Sequence, residues 1–597
     1  MENKLIESNN CRSFFKYVNK KIKTKGSIPL LIDSSGGSVF NDLQKANVFS
    51  SHFKSVFVQD NNVIPSLNSE LVNDETNDNK LNSVYFSGMD VYNQIKKLKS
   101  NSAPGWDGMS ANILKKLANV ISFPLSILFN FSISSGKVPN AWKRAVVIPV
   151  FKSGDAKNPV NYRPISLTSI ACKVMEGIIK NSLIKHCNAN NLLSEYQFAF
   201  LPRRSTNLQL IQYYDLIATN CSKGYQIDSV YLDFKAAFDS VVHSKLLFKL
   251  KLLGINGNLL NWIESFLTER FYSVRVGECY SDWSPVVSGV PQGSVLGPLL
   301  FIMFINDLTD CCIDNNCNIF VFADDAKCLS IIKSYQDCEI LQSTLNIIES
   351  WSKEWQLSLS LHKCKVISFC NKNIHINYQY SILNVLLEYV DTITDLGVIL
   401  TSDLSFSKQI DKVCIKARCR AAMIFKCFQS KDKFLLFRAF VVYVRPLLEY
   451  CSNVWSPYRL GDIRKIESVQ RLFTKRLRGL KSMPYPARLE CLGAETLEKR
   501  RIKFDLTMYF KILYGIVDLN SESLFQVRDM RTRNNGLTLY KAKFNCNLER
   551  YIFRNRCINI WNMLPQTVIG SSDLSVFKRH LNSFDLDAII LKAFVSS

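Results

Sequence analysis

Two adjacent carboxylates, Asp324 and Asp325, sit between two mostly apolar, β-prone runs, Ile319 to Ala323 and Lys327 to Ile332. Two such runs joined by a short polar step read as a β-hairpin. Like charges at its tip cost stability unless a cation neutralises them. Hard oxygen ligands suit Mg²⁺, and paired divalent ions serve phosphoryl and nucleotidyl transfer. A solvated Asp-Asp turn is the plainer alternative. A third carboxylate, Asp233, ends a predicted strand, Ser229 to Phe234, ahead of KAAFDSVVHSKLLFKLKLLG. That segment reads as an amphipathic helix closed by Gly254. A rigid strand end suits a metal ligand; a charge partner for a helix N-terminus is the alternative.

Other candidates flank these carboxylates. In SGVPQGSVLG, from Ser288 to Gly297, the glycines and Pro291 force a tight loop. Its backbone and the Gln292 side chain are placed to contact a nucleotide, unless the loop is only a helix entry. Trp142 to Lys152 reads as a strand, Gly154–Asp155 as a turn, and Asn161 to Thr168 as extended chain. Lys152 and Arg163 on that unit could fold over a triphosphate, although surface cations are common. Leu357 to Phe369 puts Lys363 and Lys365 in a turn before a strand.

The elements that must hold these residues are mixed helix and strand. Asn41 to Phe57 places Leu43, Ala46, Phe49, Phe53 and Phe57 on one helical face. The acidic, Asn-rich stretch from Asn68 to Asn82 reads as a surface loop. Met89 to Leu98 reads as a short helix, SAPGWDGMS (Ser102 to Ser110) as a turn cluster, and Lys115 to Phe131 as a buried helix. Helices are also expected over Val174 to Leu193, Thr206 to Ala218, Pro298 to Asn306 and Thr344 to Trp355, with a kinked strand at Asp395 to Leu400.

With 597 residues, the chain has room for roughly three or four domains. Its formal net charge of +23 makes a polyanion the expected partner. Nucleic acid is favoured over a membrane, since no stretch approaches the roughly 18 apolar residues of a spanning helix. The polar N-terminus lacks an apolar signal region, and 19 scattered cysteines without a CxxC read as free thiols in a reducing compartment. An intracellular location, nuclear or cytoplasmic, is expected. Residues 401–510 carry 23 Lys and Arg against 10 Asp and Glu, a net +13, over half the excess of the chain. Between Lys408 and Phe428 an apolar face (Ile410, Val413, Cys414, Ala417, Ala421, Ile424) is matched by Lys408, Lys412, Lys416 and Arg420 on another. A second basic helix, from about Arg464 to Arg478, carries Arg471 and Lys475. Such stripes are either solvated faces or a surface gripping a duplex.

In combination these segments resemble a known family. YLDFKAAFDSV is similar to motif A of reverse transcriptases, SGVPQGSVLGPLLF to motif B and FVFADDAKCLS to motif C. APGWDGMS, VIPVFKSGD and NYRPISLTS precede them in family order, and LHKCKV and DLGVIL follow. YVRPLLEYCSNVWSP, DIRKIESVQRLFTKRL and FRNRCINIWNMLP resemble the thumb and C-terminal region of non-LTR (LINE-type), jockey-like retrotransposon polymerases. The resemblance runs from about residue 35 to near the end.

It implies an α+β right-hand polymerase: fingers and palm with an antiparallel sheet over 96–400, a basic α-helical thumb over 401–510, and mostly helical extensions at 1–95 and 511–597. Asp233, Asp324 and Asp325 would ligate two Mg²⁺ ions, with Mn²⁺ a substitute and the Phe234 carbonyl contributing. Phe238 would exclude a ribose 2′-hydroxyl, and Gln292 and Gly293 would line the nucleotide and template pocket. Lys152 and Arg163 would grip the triphosphate. Lys363, with Lys365 close by, would protonate the leaving group. Asp239 is expected to be a structural helix residue. The implied partners are an RNA template, a DNA primer or target, and dNTPs.

Complete elements of this kind carry an endonuclease ahead of the polymerase. Only about 100 residues precede these motifs, so no nuclease is expected, and no RNase H block or CCHC knuckle is visible. A 5′-truncated copy or partial gene model is the expectation. A catalytically inactive or co-opted nucleic-acid-binding remnant is the rival reading. A group II intron-type maturase would need splicing-domain signatures after the thumb.

Overall fold

The computed structural model describes residues 2, 11–22, 28–33, 35–65, 80–312, 317–370, 376–527, 537–544 and 546–595. Two five-stranded sheets organise the first two-thirds of it. In the first, the Gln226–Asp233 strand lies at the centre, between Asp325–Ile332 and Lys365–Phe369. Asn318–Phe322 and Glu388–Tyr389 form its edges. The central strand is buried on both sides, so its alternate residues enter two different cores. Ile227 joins the core containing the Thr206–Ser222 helix and the C-terminal helices. Val230 and Leu232 join the other, with the apolar Gly297–Ile305 helix. In the second sheet, Tyr162–Leu167 pairs antiparallel with Arg144–Phe151, which runs parallel to Arg270–Val276. The Asp42–Ser55 helix packs Phe49 and Phe53 against this sheet's Tyr162 and Tyr272.

The expected hairpin is present: Asn318–Phe322 and Asp325–Ile332 pair antiparallel around a two-residue turn at Ala323 and Asp324. From residue 407 onward the described chain is almost wholly helical. The Ser407–Cys427 helix buries Ile410, Val413, Cys414, Ala417, Ala421 and Ile424, the face its periodicity predicts. Among the described residues no helix is long and apolar enough to cross a membrane, and the described cysteines are free thiols.

Several expectations need correction. The region from Lys115 to Phe131 is two helices, Ala111–Lys116 and Ala118–Ser134, that meet at Leu117. The second is only half buried: Val120, Phe123, Ile127 and Phe131 face solvent. Leu43 is likewise exposed, and Phe57 lies beyond the end of its helix. The segment from Lys235 to Gly254 becomes helical only at His243, because its first residues are used elsewhere. Lys235 N donates to Ser358 O, Ser240 Oγ donates to Lys235 O, and Ala236 takes a left-handed φ of +42°. The kinked strand at 395–400 is a hairpin, Thr392–Asp395 with Val398–Thr401, turning at Leu396–Gly397. Of the predicted loop at 68–82, residues 68–79 lie outside the described residues.

Candidate active site

Asp233 is the last residue of the central strand and Asp325 the first of its neighbour, and their Cα atoms are register partners. Antiparallel partners share a face, so the two carboxylates leave the sheet on the same side. Asp324 occupies the turn beside them, with Ala323 before it at φ +58°, a conformation that costs an alanine energy. The charges act on one another. Burial raises Asp324, Asp233 adds to the rise, and Lys152 and Arg163 oppose it. Burial also pushes Asp325 up to about 6, followed by the charges of Asp324, Asp395 and Asp233, against Lys327. The two cations from the other sheet therefore reach this cluster electrostatically. Their hairpin is closed by Lys152 N donating to Asn161 O at 2.8 Å, with Arg163 opposite Val150.

Lys363 Nζ lies 3.0 Å from Asp233 Oδ2. The backbone brings it there: Phe234 bridges to Leu359, Ser360 N donates to Asp233 O at 2.7 Å, and a single 3₁₀ turn, Leu361–Lys363, follows. Lys365 starts the next strand and pairs instead with Glu388, at 2.5 Å. The two lysines thus have different partners.

The 288–293 loop is strapped down on two sides. Val290 N donates to Phe238 O and Gly289 N to Val241 O, while on the far side Ser166 N donates to Gln292 O at 2.7 Å. Gly293 has φ +119°, and a Cβ there would come within 2.4 Å of Ser166 O, so no side chain fits. Glu176 anchors the start of the following helix, accepting from Val295 N and Leu296 N. Gln292 spends its amide inside the protein, since Nε2 donates to Asp239 Oδ2 at 2.7 Å. Asp239 is therefore not a helix residue. It lies in the turn before His243, and burial lifts its carboxyl to about 7, with Gln292 opposing. Phe238 stacks on Phe301 (centroids 4.3 Å apart, planes at 20°), with Phe200 edge-on to it. The Phe234 ring is buried against Trp351, leaving only its backbone available to a ligand.

Sequence reasoning missed a polar network directly behind Asp325. Lys327, two residues on and on the same face, forms a buried ion pair with Asp395. Tyr231 OH donates to Asp395 Oδ2 (3.1 Å) and lies 3.0 Å from Tyr213 OH, which in turn bonds Ser229 Oγ. The period-two spacing of Asp325 and Lys327 was a readable signal; Asp395, 68 residues away from Lys327, gave none.

The basic stripes are less uniform than their spacing suggests. Lys416 and Lys475 are exposed, and Lys412 is held below the usual ammonium range by burial and by Lys416. Lys408 donates to Thr392 Oγ1 at 2.8 Å. Arg420 donates to Tyr443 O and stacks on that ring, and Arg471 lies over Tyr485. The two helices are cross-linked by Lys465 with Asp411 and Arg418 with Ser468.

The donor set suits a divalent cation: oxygen ligands, mutual repulsion and one orphaned atom. Asp233 Oδ2 is buried and accepts no hydrogen bond; the Lys363 contact is ionic only. Among the described residues, no three or more His, Cys, Asp or Glu side chains are gathered closely enough to hold a metal ion by themselves.

Residues 152–400 match the family described as reverse transcriptase (RNA-dependent DNA polymerase). The RNA-directed DNA polymerase from mobile element jockey of Drosophila melanogaster is 28% identical over 461 residues, 74% of this chain and 50% of the relative. The probable RNA-directed DNA polymerase from transposon X-element of the same organism is 26% identical over 464 residues, 75% of this chain and 50% of the relative. A putative 115 kDa protein in the type-1 retrotransposable element R1DM is 29% identical over 283 residues, 46% of this chain and 26% of that protein. The chain spans about half the length of the first two. Residues 152–400 thus match the reverse transcriptase family, and about three-quarters of the chain is similar to the RNA-directed DNA polymerases of the jockey and X-element mobile elements.

Proposed function

We propose that the chain is an RNA-directed DNA polymerase that extends a DNA 3′-hydroxyl on an RNA template. The observation that carries this reading is the register of Asp233 with Asp325, Asp324 beside them, under the pull of Lys152 and Arg163. In a right-hand layout, 96–400 would supply fingers and palm and 401–510 the thumb.

Asp233, Asp324 and Asp325 would hold Mg²⁺, or Mn²⁺ in its place, and the bound ions would supply Lewis acidity to the transfer. The rest falls to the chain's own groups. Lys152 and Arg163 neutralise and orient the incoming triphosphate. The primer 3′-hydroxyl bonds through its oxygen to the α-phosphorus and gives up its proton to solvent as the bond to pyrophosphate breaks, while Lys363 gives a proton to the departing oxygen. Phe238, braced by Phe301, presents a fixed edge where a 2′-hydroxyl would have to fit. The backbone of Gln292 and Gly293 shapes the pocket that the template base enters. Lys408, Lys412, Lys416, Arg471 and Lys475 take phosphates of the duplex, and Arg420 is spoken for largely by Tyr443.

The test is primer extension on an RNA template with purified full chain. Incorporation of dNTPs in clear excess over rNTPs supports the reading, and a Phe238→Ala chain should lose that preference. RNA binding without any incorporation would leave only the binding-protein alternative.

A further inference from the structure

We infer that a groove remote from the carboxylates is a docking site for the sugar-phosphate backbone of single-stranded RNA. It lies between Thr206–Asn207, the Arg445–Glu449 helix and the helices Leu497–Leu513 and Leu574–Ser583, and has a volume of about 640 Å³. None of these elements carries the two basic stripes described above.

Its charge is unbalanced by construction. The carboxylates lining it are already engaged: Glu449 Oε1 takes Arg500 Nε at 2.5 Å and Arg445 Nε at 3.4 Å, and Glu495 takes Lys503 at 2.5 Å. Two arginines on one carboxylate leave a surplus, and Arg500 opposes the charge of Arg445. Lys511 and Lys578 also line the groove and have no carboxylate partner among the described residues. They are held near one another by the rings next to them in sequence. Phe510 stacks on Phe577 with centroids 4.3 Å apart and planes at 21°, which fixes the two helices. Burial and the charge of Lys578 keep Lys511 below the usual ammonium range. Two cations pinned in a concave surface without a counter-charge are stabilised by an anion bridging them.

The apolar part of the lining narrows the class of anion. Tyr450 is exposed, and Phe504 lies under the Arg500 guanidinium at 5.3 Å. Rings interleaved with cations suit unstacked bases joined by phosphates. A duplex, whose bases face inward, gains nothing from such rings. Tyr450 also ties the rim of the groove to the hairpin behind the site, its OH donating to Leu396 O at 2.8 Å, next to the Asp395 that pairs with Lys327. The choice of RNA rests on the polymerase reading; the surplus of charge does not.

The experiment measures binding of the full chain to a fluorescein-labelled 20-nucleotide RNA by anisotropy across a salt series, beside a duplex DNA of equal length. Lys511→Ala with Lys578→Ala should weaken RNA binding at least about fivefold at low salt and flatten the plot of log K against log salt by about one to two units. The Lys511→Arg, Lys578→Arg chain should restore both. The alanine chain should melt no lower than the wild type, because a repulsion is removed; should it unfold, the single Lys578→Gln change at an exposed position gives the same reading at about half the slope change. Unchanged affinity and slope overturn the inference, and so does a loss confined to the duplex. Incorporation by the wild type is scored apart, so an active polymerase with an unchanged slope sinks only the groove. A flattened slope in an inactive chain sinks only the polymerase.

Discussion

Gln292 Nε2 donates to Asp239 Oδ2 across 2.7 Å, tying the 288–293 loop to the turn that follows Asp233. The glutamine expected to face a nucleotide also braces two segments that frame the site. Burial holds the Asp239 carboxyl near 7, against about 3.9 in an unfolded chain.

The consequence for stability has a definite sign. Between about pH 4 and 7 the folded chain keeps a proton that the unfolded chain has released, so this group's contribution falls as pH rises through that window. Asn at position 239 cannot ionise. The thermal midpoint of Asp239→Asn relative to wild type should therefore climb from pH 4.5 to 7 and level off above. A difference that does not change with pH contradicts the buried carboxyl.

Lys363 and Lys365 should separate cleanly. Lys363→Ala should slow single-turnover incorporation by about 100-fold, the lower end of the range for a lost general acid. Lys365, which is paired with Glu388, should tolerate alanine to within about threefold. The reverse order would reassign the proton donor.

Asp325, lifted to about 6 by burial and by Asp324, Asp395 and Asp233, should lose its proton when a divalent cation neutralises that repulsion. Calorimetric Mg²⁺ titrations in buffers of different ionisation enthalpy should show proton release at pH 6 and almost none at pH 8. Asp325→Asn should suppress the release. Equal release at both pH values would mean that another group titrates.

How far the sequence led is clearest beside Asp325. The hairpin was legible because two apolar runs bracket two charges, and a two-residue turn needs nothing remote. The buried face of Ser407–Cys427 was legible because its period is local. Residues 235–242 misled, since a helical pattern there is overruled by bonds to Ser358 and to the 288–293 loop. The same cause misplaced Asp239 in a helix and left Asp395 unread: each is defined by a partner dozens of residues away. The exposed apolar side of Ala118–Ser134 shows the converse, that apolar composition alone does not specify burial.

Lys327 and Asp395, with side chains only 3% and 6% exposed, give a stability test of that network. Lys327→Met leaves a buried carboxylate unpaired and should cost about 3–5 kcal/mol in urea unfolding, while Lys327→Met with Asp395→Leu should recover most of the loss. Costs that simply add would show that the pair is not coupled.

The central claim is that carboxylates from two neighbouring strands act as one cation-dependent transfer site. It is met most directly by single-nucleotide incorporation on an RNA template, followed against Mg²⁺ concentration for wild type and for Asp233→Asn, Asp324→Asn and Asp325→Asn. The account predicts Mg²⁺-dependent incorporation by wild type and a loss of at least about 1,000-fold for Asp233→Asn and Asp324→Asn, with Asp325→Asn also impaired. Incorporation by Asp233→Asn or Asp324→Asn at the wild-type rate would contradict it.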